Sequence, residues 1–372
     1  MRAPLLPLLG ALLCLMACET PPEPYDWKLP PGFPEPAVPA DNPMSAAKVE
    51  LGRHLFYDKR LSANGTQSCG TCHEQARAFT DGRATAVGST GEGHRRNSMS
   101  LANVAYASTF TWANPALPDL EAQVLVPLFG ETPVELGLAG QEEVALQRFR
   151  EDARYPALFA AAFPGEKQPV SLASVARALA SFQRSLLSGR SPYDRYVYGR
   201  ESGALSASAR RGLELFNSER LECFHCHQGF AFSDAVRTRD TVFPEVLFHN
   251  TNLYNEDGRG GYPAVDQGLL EFTWNPEDMG RYRAPTLRNI AVTAPYMHDG
   301  SIATLSEVLD HYGAGGRARQ LGASSSPFQS EFVRGFTLTE QERADVLAFL
   351  ESLTDPEFLT DPRHADPFAP PP

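Results

Sequence analysis

Basic side chains are in short supply. The chain carries 33 Lys and Arg against 45 Asp and Glu, a formal net charge of -12, which repels polyanions and argues against binding to nucleic acid or an anionic lipid surface. Long apolar runs are also missing beyond the first 17 residues, so no later segment is long enough to span a bilayer as a helix. Cysteine is scarcer than its six copies suggest. Cys14 lies in the N-terminal apolar stretch, Cys18 follows that stretch directly, and the other four fall in two short runs, leaving no thiol for a disulfide. Structural disulfides are common in exported proteins, so something other than cross-linking must hold this fold together.

The N-terminus marks the chain for export. Met1-Arg2-Ala3-Pro4 supplies the charged start and Leu5 to Ala17 the apolar h-region, so residues 1–17 are expected to be a signal peptide. Leu15-Met16-Ala17-Cys18 also has the form of a bacterial lipobox, with Met16 an unusual residue in it and a plain secreted form the alternative. In the lipobox reading Cys18 becomes the lipidated first residue, and Glu19 in place of aspartate directs the lipoprotein to the outer membrane, facing the periplasm. Residues 18–43 are rich in proline (Pro21, Pro22, Pro24, Pro30, Pro31, Pro34, Pro36, Pro39, Pro43). That composition predicts a stiff, extended spacer.

The remaining cysteines form two Cys-X-X-Cys-His runs, Cys69-Gly70-Thr71-Cys72-His73 and Cys223-Phe224-His225-Cys226-His227. Two thiols at this spacing add to the vinyl groups of a haem, and the adjacent histidine is then held under the iron as its proximal ligand. Two such runs in an exported chain imply two covalently bound c-type haems. A structural zinc site, the other use of Cys and His, does not account for two matched runs each preceded by a similar segment.

Those preceding segments are an internal repeat. Ala46-Ala47-Lys48-Val49-Glu50-Leu51-Gly52-Arg53-His54-Leu55-Phe56 leads to the first run, and Ser208-Ala209-Arg210-Arg211-Gly212-Leu213-Glu214-Leu215-Phe216 to the second, both with helical periodicity. Helical spacing recurs over 142–149 and 171–187. Thr339 to Leu350 closes the chain's second half, with Thr339 as N-cap and Glu342 completing a capping box. The expected fold is mainly α: two tandem cytochrome c-like haem domains with long loops, an N-terminal one over 44–195 and a C-terminal one with its tail over 196–372.

With these motifs in place, the chain resembles the bacterial dihaem cytochrome c peroxidase family, and within it the MauG-like branch. Arg96-Asn97-Ser98, the stretch from Gln123 to Gly137, and Ala284-Pro285-Thr286-Leu287-Arg288-Asn289-Ile290-Ala291-Val292-Thr293-Ala294-Pro295-Tyr296-Met297-His298-Asp299-Gly300 carry the likeness beyond the haem runs. The resemblance implies a first haem that reacts with peroxide and a six-coordinate second haem that exchanges electrons. It places the second iron's further ligand at Tyr312, with Met297, Met279 and His311 as competitors. A thioether raises the haem potential, whereas a hard phenolate oxygen favours higher oxidation states.

At the first haem, the position of the blocking histidine of classical members falls on Ser89, a poor iron ligand, with His94 as a substitute. Distal residues implied by family spacing are Gln123, Pro127 and Glu135, the last as acid/base, with Glu131 its rival. Trp112 matches the residue that bridges the haems. Asn97, Thr293 and Pro295 match an interhaem Ca2+ site of hard oxygen ligands, and His298 is expected to orient a propionate of the second haem.

The implied activity is use of hydrogen peroxide to form a high-valent dihaem state that oxidises an aromatic residue of another protein. Pro127-Leu128-Phe129-Gly130-Glu131-Thr132-Pro133-Val134-Glu135-Leu136-Gly137 is similar to the MbnH-type proteins, whose substrate is a tryptophan, converted to kynurenine, on a small copper-binding (MbnP-like) periplasmic partner. Leu221 stands where MauG has a relay tryptophan, leaving a docked partner's own Trp, or Trp274, to serve. The alternatives are a peroxide-detoxifying peroxidase fed by a small cytochrome and a dihaem electron carrier without turnover.

Overall fold

The computed structural model describes residues 25–370; the expected signal peptide and Cys18 lie outside them. Among those residues the regular structure is helical, with isolated β-bridges and long loops between helices. Six helices position the site: α1 (Ala46–Tyr57), α2 (Leu120–Phe129), α3 (Leu172–Arg184), α4 (Ala207–Phe216), α5 (Leu305–Gly313) and α6 (Glu340–Glu351). Each begins where a Ser, Thr or Asp side chain accepts an otherwise unpaired N–H of the first turn, as Ser45 does from Lys48 and Thr339 from Glu342.

The sequence repeat is a repeat in packing. α1 crosses α3 so closely that a Cβ on Gly52 would lie 2.0 Å from the Ala178 carbonyl oxygen, and α4 crosses α6 so that one on Gly212 would lie 1.9 Å from that of Asp345. Only glycine permits either approach. One turn further on, Phe56 meets Phe182 with ring centroids 5.1 Å apart, and Phe216 meets Phe349 at 5.0 Å. Each crossing anchors its own core, Leu51, Leu55, Phe149, Phe159 and Leu179 around the first, Leu221, Phe232, Val346, Leu350 and Leu353 around the second. A buried Leu or Phe contributes roughly 1.5–3 kcal/mol, and cores of this size replace the missing cross-links.

The two units are fastened by charge as well as packing. Arg288, fully buried, binds both carboxylate oxygens of Asp194 at 2.8 and 2.9 Å and the Phe230 carbonyl at 2.6 Å. Such a pair is tolerated inside only when its donors and acceptors are matched, as here.

Two expectations are corrected. From Pro30 onward the proline-rich stretch is docked on the body and is no free spacer: Phe33 is buried against Tyr106 and Phe230, the Tyr106 hydroxyl donates to the Pro34 carbonyl at 2.6 Å, and Lys48 donates to buried Asn42 at 2.9 Å. A composition rule overlooks the single bulky apolar side chain that makes such a segment adhere. The tail, assigned above to the second unit, lies on the first. Phe358 joins the first core, the Tyr57 hydroxyl donates to the His364 carbonyl at 2.8 Å, and Arg53 donates to that of Ala365 at 2.9 Å.

Candidate active site

Each Cys-X-X-Cys-His run sits at the wall of a slot. The empty space, open mouth included, is about 1240 Å3 for the first and about 1260 Å3 for the second. Cys69, Cys72 and His73 line the first; Cys223, Cys226 and His227 line the second. Ser68 and Thr71 cap the short helix Cys69–Cys72, and the second run begins instead as a 3-10 turn, Cys223–His225, with no side-chain cap. Burial pushes the Cys69 and Cys223 thiols up to about 12, favouring the neutral sulfur that a thioether retains.

Both histidines are oriented alike. Nδ1 of His73 lies 2.7 Å from the Phe79 carbonyl oxygen, and Nδ1 of His227 lies 3.1 Å from that of Phe232. A carbonyl accepts only from N–H, so Nδ1 carries the proton and Nε2 keeps its lone pair for a metal. Burial lowers the pKa of both rings, holding them neutral. Matched slots, paired cysteine sulfurs and preset imidazoles fit two c-type haems.

The remaining walls differ. In the first slot α2 presents Gln123 and Pro127, one turn apart, and Glu135 reaches in from the loop that follows. That loop is pinned: the Leu136 N–H donates to the Pro127 carbonyl at 2.9 Å, the Ser89 N–H to that of Glu135 at 2.7 Å, and Gly88 has no room for a side chain against Val134. Burial alone raises the Glu135 carboxyl to about 7, the value that lets one group both accept and return a proton near neutrality. Its rival Glu131 is exposed and outside the slot; Ser89 is outside it as well, whereas His94 lines it.

In the second slot Tyr312, from α5, stands among apolar side chains from α5 and α6, including Leu305, Leu309, Val346 and Leu350. Burial raises its phenol pKa, whereas a neighbouring metal cation acts in the opposite direction. Met297 also lines this slot; Met279 does not. Nor does His311, whose Nδ1 accepts the Arg317 N–H at 2.9 Å.

Trp112 lines both slots, its indole N–H donating to the Asn97 carbonyl at 2.9 Å. His298 lines the second slot and stacks on Tyr282 with centroids 3.7 Å apart. The Asn97 N–H donates to the His298 carbonyl at 2.7 Å, which joins its segment to the loop carrying Thr293 and Pro295. The amide nitrogen of Asn97 is taken by the Arg83 and Ala84 carbonyls, at 2.8 and 3.3 Å, so its oxygen is the atom left to bind a hard cation. Trp274 is 84% exposed and lines neither slot.

Two site residues escape sequence reading. Arg283, in the second slot, donates to the Thr111 carbonyl at 3.3 Å and forms no ion pair among the described residues, and burial lowers its pKa to about 10. A half-buried guanidinium with no carboxylate paired to it suits an anionic ligand such as a haem propionate. Its position, just before Ala284-Pro285, was the one available signal. His249 lines the same slot 2.5 Å from Asp234; no motif marks it.

A family model described as di-haem cytochrome c peroxidase matches residues 46–202, and one described as RoxA-like, cytochrome c-like matches 280–313. Cytochrome-c peroxidase IdrP1 of Denitromonas iodatirespirans is 36% identical over 358 residues, covering 91% of this chain and 90% of that protein. The chain belongs to the dihaem cytochrome c peroxidase and MauG family. Methylamine utilization protein MauG of Methylorubrum extorquens is 34% identical, covering 87% of this chain and 83% of that protein. A solved MauG-like protein associated with microbial copper homeostasis superposes with a TM-score of 0.90 at 49% identity, over 93% of this chain and all of that one. As a member of the family, the protein is a haem-dependent oxidoreductase acting on peroxide through two c-type haems.

Proposed function

We propose that this family member uses hydrogen peroxide to oxidise an aromatic residue, a tryptophan taken to kynurenine, on a small copper-binding periplasmic partner protein. The observation that carries this reading is the presence of Tyr312 in the slot of His227, opposed by a carboxylate-bearing first slot. The likeness to a MauG-like protein linked to copper homeostasis supports the choice of partner.

The two haems, when bound, supply the redox chemistry that draws two oxidising equivalents from peroxide. Glu135 takes the proton of the near peroxide oxygen and returns it to the leaving one. Gln123 and Pro127 shape the space in which that happens, and Trp112 lies where an indole can pass charge between the slots. His73 and His227 hold their metal-facing nitrogens in place through Phe79 and Phe232. A Ca2+ held by Asn97, Thr293 and Pro295 would stiffen the joint, and a lipid on Cys18 would keep the enzyme at the periplasmic face of the outer membrane.

Peroxide added to the diferric protein without reductant should abolish both ferric EPR signals, and the partner's tryptophan should appear as kynurenine by mass spectrometry. The Tyr312→Phe variant should alter only the second haem's spectrum and stop partner oxidation; unchanged spectra would remove Tyr312 as a ligand. Relatives named cytochrome-c peroxidase favour a second reading, in which electrons from a small cytochrome reduce peroxide to water. Rapid oxidation of a reduced cytochrome with no partner modification would establish that reading instead.

A further inference from the structure

An aromatic cluster leads away from the second slot and has no part in the proton chemistry described above. His298 and Tyr282 form its inner end, stacked and lining the slot. Tyr262 follows, with ring centroids 6.1 Å from Tyr282 and 6.3 Å from His298, and Tyr254 lies 5.5 Å beyond Tyr262. Tyr254 is only partly buried, so the cluster ends at solvent.

The three tyrosines differ in where a proton can go. Losing an electron makes a phenol a strong acid, so its oxidation is easiest beside a free base. The Tyr262 hydroxyl has the Asn250 amide oxygen, at 3.2 Å, and no carboxylate. Tyr282 donates to Asp266 at 2.9 Å, but Arg96 holds both oxygens of that carboxylate at 2.6 and 2.8 Å. Tyr254 donates to Asp299 at 2.5 Å, and Asp299 forms no ion pair among the described residues. The Arg317 guanidinium lies 4.6 Å from the centre of the Tyr254 ring. A cation there opposes a positively charged ring, so oxidation must release the proton, and Asp299 is placed to take it.

We propose that Tyr254, with Asp299 as its proton acceptor, is the surface residue through which oxidising equivalents leave the second slot for a docked donor. This deepens the function proposed above and rests on it. In each transfer Tyr254 gives one electron inward to the peroxide-oxidised centre while its O–H bond breaks and the proton moves to Asp299, leaving a neutral phenoxyl radical and a carboxylic acid. The donor's aromatic side chain then returns one electron, the proton comes back from Asp299, and the O–H bond re-forms. Two transfers consume the two equivalents of one peroxide. Exposed Trp274 has no aromatic ring packed against it among the described residues and is not on this route.

The test uses the dihaem-loaded protein and peroxide, with no partner present. Freeze-quench EPR should show an organic radical that narrows when the tyrosines are ring-deuterated, and a nitrone spin trap should mark the peptide containing Tyr254. Tyr254→Phe should lose both signals while peroxide reacts at the first haem at an unchanged rate. Asp299→Asn, which keeps the phenol and removes the base, should lower the radical yield. A trap adduct on Trp274 or elsewhere, or an undiminished radical in both variants, would overturn the proposal. Kynurenine formation on a partner is scored separately: if it persists in Tyr254→Phe, the route fails and the function stands; if the adduct forms on Tyr254 but no partner tryptophan is converted, the function fails and the route stands.

Discussion

The two cytochrome-like units are alike beneath the haem slots and unlike across them. Below, each has a glycine at a helix crossing, a phenylalanine pair one turn on and a histidine fixed by a backbone carbonyl. Across the slots, the first unit places a buried carboxylate and an amide, the second a phenol among aliphatic side chains. The repeated half is the means of holding a cofactor, and the two units differ in a loop and one helix face. An acid/base group belongs where peroxide must be cleaved, and a closed, apolar wall where charge is only held.

The comparison breaks most sharply at Glu135. Glu135→Gln removes the proposed acid/base and should slow the peroxide reaction by about 10²–10⁴-fold, followed as the Soret change in stopped flow, with the second haem's spectrum unaltered. At the level of packing, Gly52→Ala and Gly212→Ala should each destabilise by about 1–3 kcal/mol. Equal losses in thermal melts of the haem-loaded variants would show that the crossings are equivalent, and a loss at one alone would break the parallel.

The pH profile separates the slots further. Glu135 must be ionised to accept the first proton, so the peroxide rate should rise with pH and level off above about 7. Below that value it should fall about tenfold per pH unit, and a flat profile would exclude Glu135 as the base. The smallest difference lies in capping. Thr339→Ala should cost about 1 kcal/mol by freeing the first turn of α6, measured by chemical denaturation, without changing either haem spectrum.

Much of this was legible in the sequence because covalent haem attachment needs a fixed spacing and helices declare themselves by period and cap. Thr339 opens the helix it precedes and Glu342 completes its capping box, as expected. Glu135, Gln123, Pro127 and Trp112 do meet at the first slot, although resemblance placed them there, since loop residues on either side of a helix share no local period with it. Arg283 and His249 were illegible for the same reason: a half-buried charge is recognisable only by what surrounds it. The docked segment from Pro30 and the tail near His364 failed differently, since composition describes how a segment behaves alone and says nothing of the surface it meets.

The tail's docking has a consequence for biogenesis. Arg53 and the carbonyl it binds are separated by 312 positions. At roughly 5–20 residues per second, the ribosome needs about 15–60 s to cross that interval. Throughout it the first core lacks Phe358 and the hydrogen bonds that Tyr57 and Arg53 give to the His364 and Ala365 carbonyls, so the packing of the first unit is completed only after the second unit has been made.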